Sequence, residues 1–132
     1  MIKWENRYST GVAELDEQHM KLFQYCNDLG DGINSGEISQ NVLLQALNFL
    51  GKYIEIHFGQ EETCMFKYDC PIAGKNRSAH QKFTEAYKMF QKRISENNDS
   101  GAILRELHYF LENWLIEHIC KIDVQLKACT GK

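Results

Sequence analysis

Apolar residues recur at intervals of three and four along four stretches of the chain, and nowhere between them does apolar alternate with polar. The first stripe runs through Leu15, Leu22, Phe23, Cys26, Leu29 and Ile33, and the second through Leu43, Leu47, Leu50, Ile54, Phe58 and Met65. Phe83, Tyr87, Phe90 and Ile94 form a third; Leu104, Leu107, Leu111, Leu115, Ile119, Ile122 and Leu126 form a fourth. This period puts one apolar face on each of four helices. Turn-forming residues punctuate them at Asn34-Ser35-Gly36, around Pro71, and from Asn97 to Gly101. The pattern predicts helices over 16–35, 40–65, 75–96 and 101–128, with Ser39 and Ser100 as N-terminal caps. Short connections favour antiparallel neighbours, so the expected fold is all-α, an antiparallel up-down-up-down four-helix bundle. The first fifteen residues, with Trp4 and Tyr8, form an N-terminal arm along it, giving a single domain over 1–132 with arm 1–15 and bundle 16–128.

Polar residues that share the apolar stripes carry the functional signal, because a buried ionisable group must be paired, neutralised or bound to a metal. His19 falls between Leu15 and Leu22 on the first stripe. His57 and Glu61, four residues apart, share one face of the second helix, and that face continues Leu50, Ile54, Cys64 and Met65. His80 precedes Phe83 and Tyr87, and His118 follows Leu111, Trp114 and Leu115. A single histidine on such a face is ordinarily a satisfied core residue. Four of them, one per helix, together with a carboxylate are hard to satisfy by mutual hydrogen bonds and easy to satisfy around iron, manganese or zinc. His108 lies ten residues before His118, about 15 Å along a helix, and reads as a surface or packing residue.

Composition narrows the setting. The 132 residues are 43% apolar and 25% charged, enough for a core that folds without obligatory metal or disulfide, so a metal here would signal function. Fifteen basic and 18 acidic residues are interleaved, which leaves no basic stripe for nucleic acid. No apolar run approaches the ~18 residues that span a bilayer, and Met1 to Asn6 has no apolar signal core, so a soluble, cytoplasmic protein is expected. Five cysteines without a Cys-x-x-Cys pair read as reduced thiols: Cys26, Cys64 and Cys120 in apolar stretches, Cys70 and Cys129 in a loop and a tail.

Gly11-Val12 followed by Leu15-Asp16-Glu17-Gln18-His19, then His57-Phe58-x-x-Glu61-Glu62, His80, Trp114-x-x-x-His118-Ile119 and Asp123, resembles the bacterial hemerythrin family over essentially the whole chain. The resemblance implies a four-helix bundle around two non-heme iron ions that bind dioxygen reversibly, bridged by one glutamate, one aspartate and an oxo or hydroxo species. Carried over by position, His19 and His57 hold the iron with the open position, Glu61 and Asp123 bridge, and His80 and His118 hold the second iron. Asp123 comes from the resemblance alone: five residues after His118 is about 140° around an ideal helix, and its spacing reads as an exposed charge near a helix end. Phe58, Trp114, Leu115 and Ile119 match an apolar oxygen pocket, and equally read as ordinary core. Glu62 and Glu117 read as outward charges.

One position departs from the pattern: Asn76 stands where the family has a histidine ligand. A neutral amide is a poorer iron donor than imidazole, so the second iron is the weakened one. That leaves a di-iron site with water or Asn76 in the gap, a mixed or single-metal site, or loss of that iron. The leading expectation is a stand-alone oxygen-binding protein for storage, delivery or sensing; with no output domain in these residues, sensing ranks below the other two. The alternative is a peroxidase- or oxidase-type enzyme using the opened position. A metal-free structural bundle is the third reading.

Overall fold

The computed structural model describes residues 2–96 and 99–130, and among them there is no strand. After a 3-10 turn at Asn6–Tyr8 come α1 (Ala13–Asn34), α2 (Gln40–Tyr53), α3 (Gly59–Lys67), α4 (Ala73–Glu96), α5 (Ser100–Trp114) and α6 (Leu126–Thr130). A π-helical turn, Ile54–Phe58, joins α2 to α3 without a break, so the two form one rod and the bundle has the expected four. A second π turn, Leu115–Ile119, extends α5; the chain then turns at 120–122 and passes through a 3-10 turn, Asp123–Gln125, into α6. The fourth predicted helix is therefore not continuous to 128. The stripe of apolar residues persists there, but the backbone that carries it bends.

Ser39 caps α2 as expected, its hydroxyl accepting the Val42 N–H at 3.1 Å. The cap of α5 is Asp99 rather than Ser100: its carboxylate accepts the Ala102 N–H at 3.0 Å, and Ser100 is the first helical residue. An ionised oxygen at a helix N-terminus is the stronger acceptor, which moves the boundary by one position.

Inside the bundle one apolar cluster runs from Leu22, Phe23 and Cys26 of α1 through Leu43, Leu47 and Leu50 to Phe83, Leu104, Leu107 and Leu111. Tyr25 stacks on Phe49 at 4.0 Å, tying α1 to α2. α1 also approaches α5 closely, since a Cβ on Gly30 would meet the His108 ring at 2.6 Å. His108 thus serves packing, with Glu112 at 3.7 Å from its Nδ1. The arm lies on the bundle: Trp4 contacts Phe23 edge-on at 5.6 Å, and the Asn27 amide donates to the Ile2 carbonyl at 2.7 Å. Asp16 locks the arm's end, accepting from Ser9 Oγ at 2.6 Å and from Thr10 N and Oγ1 at 2.7 and 2.8 Å.

A second small cluster, Leu15, Met65, Cys70 and Leu126, docks α6 against the α3–α4 loop. Here the expectation of five reduced thiols fails, because Cys70 and Cys129 form a disulfide with Cα atoms 5.8 Å apart. The turn at 120–122 folds the tail back onto the loop, a proximity that two cysteines 59 residues apart do not announce. Cys26, Cys64 and Cys120 are free. No helix among the described residues is long and apolar enough to cross a membrane.

Candidate metal centre

Each rod contributes ionisable side chains to one buried cluster. α1 brings His19, the first π turn His57, α3 Glu61, α4 His80, the second π turn His118, and the 3-10 turn Asp123; all are at most 2% exposed. They form two groups, His19, His57, Glu61 and Asp123, and Glu61, His80, His118 and Asp123, each with ligand atoms within 4.8 Å of one another. The two carboxylates divide their oxygens between the groups. Glu61 turns Oε2 to His19 and His57, 3.2 and 3.4 Å from their Nε2 atoms, and Oε1 to His80 Nε2 at 3.0 Å. Asp123 turns Oδ2 to His19 Nε2 at 3.2 Å and Oδ1 to His118 Nε2 at 2.9 Å.

The π turns explain how Asp123 gets there. In the second, the Cys120 N–H bonds the Leu115 carbonyl five residues back at 3.0 Å, and the Ile122 N–H bonds the His118 carbonyl at 2.7 Å before the helix ends. The wider turn and the break after it reset the helical phase, so Asp123 is 1% exposed, not an outward charge.

Many of these close contacts lack hydrogen-bond alignment. Glu61 Oε2, His80 Nε2, His118 Nε2 and Asp123 Oδ1 are buried without a hydrogen-bond partner, and His19 Nε2 faces His57 Nε2 at 2.9 Å. Buried polar atoms left this way are costly, and a cation resolves the cost by accepting a lone pair from each. Imidazole nitrogens with carboxylate oxygens suit iron, manganese or zinc, so the residues present fit a metal pair.

Protein charges respond to the same crowding. Burial pulls the His19 imidazole down, but Asp123 and Glu61 outweigh it and lift it to about 10. His57 is lowered, because its burial prevails over Glu61. Burial would raise Glu61, yet His19, His57 and His80 hold it well below the usual carboxylate range. His80 is raised too, its burial outweighed by Glu61.

Behind the ligand atoms lies a layer that spacing did not reveal. Gln18 Oε1 accepts from His57 Nδ1, and the Gln18 amide donates to Gln60 at 2.5 Å. Glu62 is not an outward charge: its Oε2 accepts from His80 Nδ1 at 2.9 Å, and its Oε1 lies 3.5 Å from Arg77 Nε. These bonds fix each ring with Nε2 toward the cluster. The signal for both was adjacency, since Gln18 precedes one ligand and Glu62 follows another. Glu117 does point outward and pairs with Lys121 at 2.9 Å.

Aromatic rings complete the shell. Phe58 stacks on His80 at 3.9 Å and Trp114 on His118 at 3.9 Å, while Leu115 and Ile119 are fully buried in the adjoining core. Tyr53, also unsignalled, stacks on His57 at 4.6 Å, and its buried hydroxyl has no partner. Asn76, fully buried, donates through Nδ2 to Glu61 Oε1 and to Met65 Sδ, both at 3.1 Å.

The sequence from residue 10 to 129 matches the family model described as the hemerythrin HHE cation-binding domain. Similar proteins include a bacteriohemerythrin of Methylococcus capsulatus, 27% identical over 92% of this chain and 90% of that protein. A myohemerythrin of Theromyzon tessulatum is 28% identical over 96% and 91%, and a hemerythrin-like protein of Naegleria gruberi 27% over 96% and 92%.

Proposed function

The chain belongs to the hemerythrin family, and we propose that it binds dioxygen at two non-heme iron ions, serving oxygen storage, delivery or sensing. His19 and His57 would hold one iron and His80 and His118 the other, with Glu61 and Asp123 offering one oxygen to each. The observation that carries this reading is the division of both carboxylates, one oxygen to each group. Bound iron supplies the reversible binding of dioxygen. The protein's part is to orient and to exclude water. Gln18 and Glu62 keep the His57 and His80 rings turned inward, and Phe58, Trp114, Leu115 and Ile119 wall the cluster with apolar surface. A dry wall strengthens every electrostatic interaction inside it and keeps water and its protons away from the cluster.

Asn76 lowers the affinity of the second iron, because an amide replaces an imidazole there. The same residue favours a second reading, an enzyme that reduces peroxide or oxidises a substrate at that position. Iron per chain after anaerobic reconstitution, with the visible spectrum before and after admission of air, tests the first reading. Two irons and new oxygen-dependent charge-transfer bands that reverse under vacuum are expected. Multiple turnovers of peroxide with an electron donor, and no reversible bands, would transfer the function to the enzyme.

A further inference from the structure

We propose that Asn76 leaves an open ligand position at the second metal group and supplies the hydrogen-bond donor for a small, electron-rich ligand bound there. This rests on the two-iron reading above and goes beyond it, since it gives the centre two ligand positions rather than one.

The donor count comes first. Each group has two imidazoles and one oxygen from each of Glu61 and Asp123, so the two metals receive the same four protein donors. Whatever position is free at the first is free at the second unless Asn76 fills it. Asn76 stands one helical turn before His80 on α4, wholly buried, and so sits beside the second group. Its orientation decides the matter. The amide nitrogen faces Glu61 Oε1, the same oxygen that lies 3.0 Å from His80 Nε2. An amide N–H donates hydrogen bonds and offers no lone pair to a metal.

One of the two N–H groups is committed to Glu61 and the other points at Met65 Sδ at 3.1 Å. A thioether is a weak acceptor, so a ligand atom carrying lone pairs takes that hydrogen in preference. The position is enclosed: Phe58 and Trp114 stack on His80 and His118, and Met65 is fully buried. The competing arrangement is a rotated amide with Oδ1, now without a partner, on the metal. It would replace the Glu61 hydrogen bond by two oxygens facing each other.

The experiment is an anaerobic titration of the ferrous, two-iron protein with nitric oxide, read by visible absorbance and expressed per chain, for the natural chain, Asn76→His and Asn76→Leu. The natural chain should take up two equivalents and Asn76→His one, because an imidazole closes the position. Asn76→Leu should still take up two, the second about tenfold more weakly for want of the hydrogen bond. A single equivalent in the natural chain with two in Asn76→Leu would overturn the proposal by showing that the amide oxygen occupies the position. Equal affinities in the natural chain and Asn76→Leu would overturn the donor role. Fewer than two irons in the natural chain before any titration would overturn the two-iron reading and this inference with it, whereas two irons and one equivalent overturn this inference alone.

Discussion

The two metal groups present the same atoms and are backed differently. Behind His57 stands a neutral amide, Gln18, with Tyr53 stacked on the ring. Behind His80 stands a carboxylate, Glu62, itself 3.5 Å from Arg77 Nε, with Phe58 stacked on the ring. A carboxylate on Nδ1 makes the opposite nitrogen a stronger donor, whereas an amide chiefly orients it. The stronger backing lies on the group that has Asn76 beside it in place of an imidazole. Ligand identity alone would rank the two groups as equal; the surrounding layer makes them unequal.

Glu61→Ala should erase the comparison, because Glu61 faces His19, His57 and His80 together. Iron content is expected to fall from two per chain to none after reconstitution and desalting. One iron retained would show that Glu61 belongs to a single group.

Asp123 also serves both groups, but from a segment held by the Cys70–Cys129 disulfide and by buried Leu126. A crosslink between residues 59 apart restricts the unfolded chain by about 4 kcal/mol in the chain-entropy model. Cys129→Ser should therefore lower stability by up to about 4 kcal/mol in chemical denaturation and weaken both irons alike. Denaturation midpoints that are the same for the natural chain with and without reductant would mean that the crosslink does not hold this segment.

Protonation acts on both groups, since Glu61 and the carboxylates around it raise His80 as well as His19, the latter by more. In the metal-free protein His19 is raised from 6.5 to about 10, so its contribution to stability is full below 6.5 and lost as pH rises through 10. Metal takes the place of that proton. Loading between pH 7 and pH 9 should release at least one proton per chain, seen as a buffer-dependent heat in calorimetry, and apparent affinity should drop about a hundredfold from pH 9 to pH 7. A loading heat independent of the buffer would place no proton on His19.

How far these residues were legible follows from how regular the backbone is around them. Helical period points His19, His57, Glu61, His80 and His118 to the inner faces, and all five are buried, His57 and His118 within the π turns themselves. It fails at Asp123, where a π turn and a break shift the phase. Glu62 was misread for another reason. It lies at the margin of the buried face, 29% exposed, and turns inward because His80 and Arg77 arrive from α4. A partner on another helix is not encoded in the phase of its own. The cysteine pair likewise depends on how the tail folds back, which no spacing reports.

The smallest effects sharpen the contrast between the groups most directly. Glu62→Gln keeps a hydrogen-bond acceptor for His80 Nδ1 and removes its charge, while Gln18→Leu removes the acceptor for His57 altogether. Losing an orienting partner behind a ligand histidine weakens a metal site by about 10- to 100-fold. If charge is what strengthens the second group, Glu62→Gln should cost that iron about tenfold although the bond survives, with the first iron unchanged. Gln18→Leu should cost the first iron less, because Tyr53 stacked at 4.6 Å still fixes the plane of the His57 ring. Competitive metal titration against a chelator resolves the two affinities in each variant. An equal loss at both groups in either variant would mean that the outer layer acts on the bundle as a whole, and the inequality between the groups would then rest on Asn76 alone.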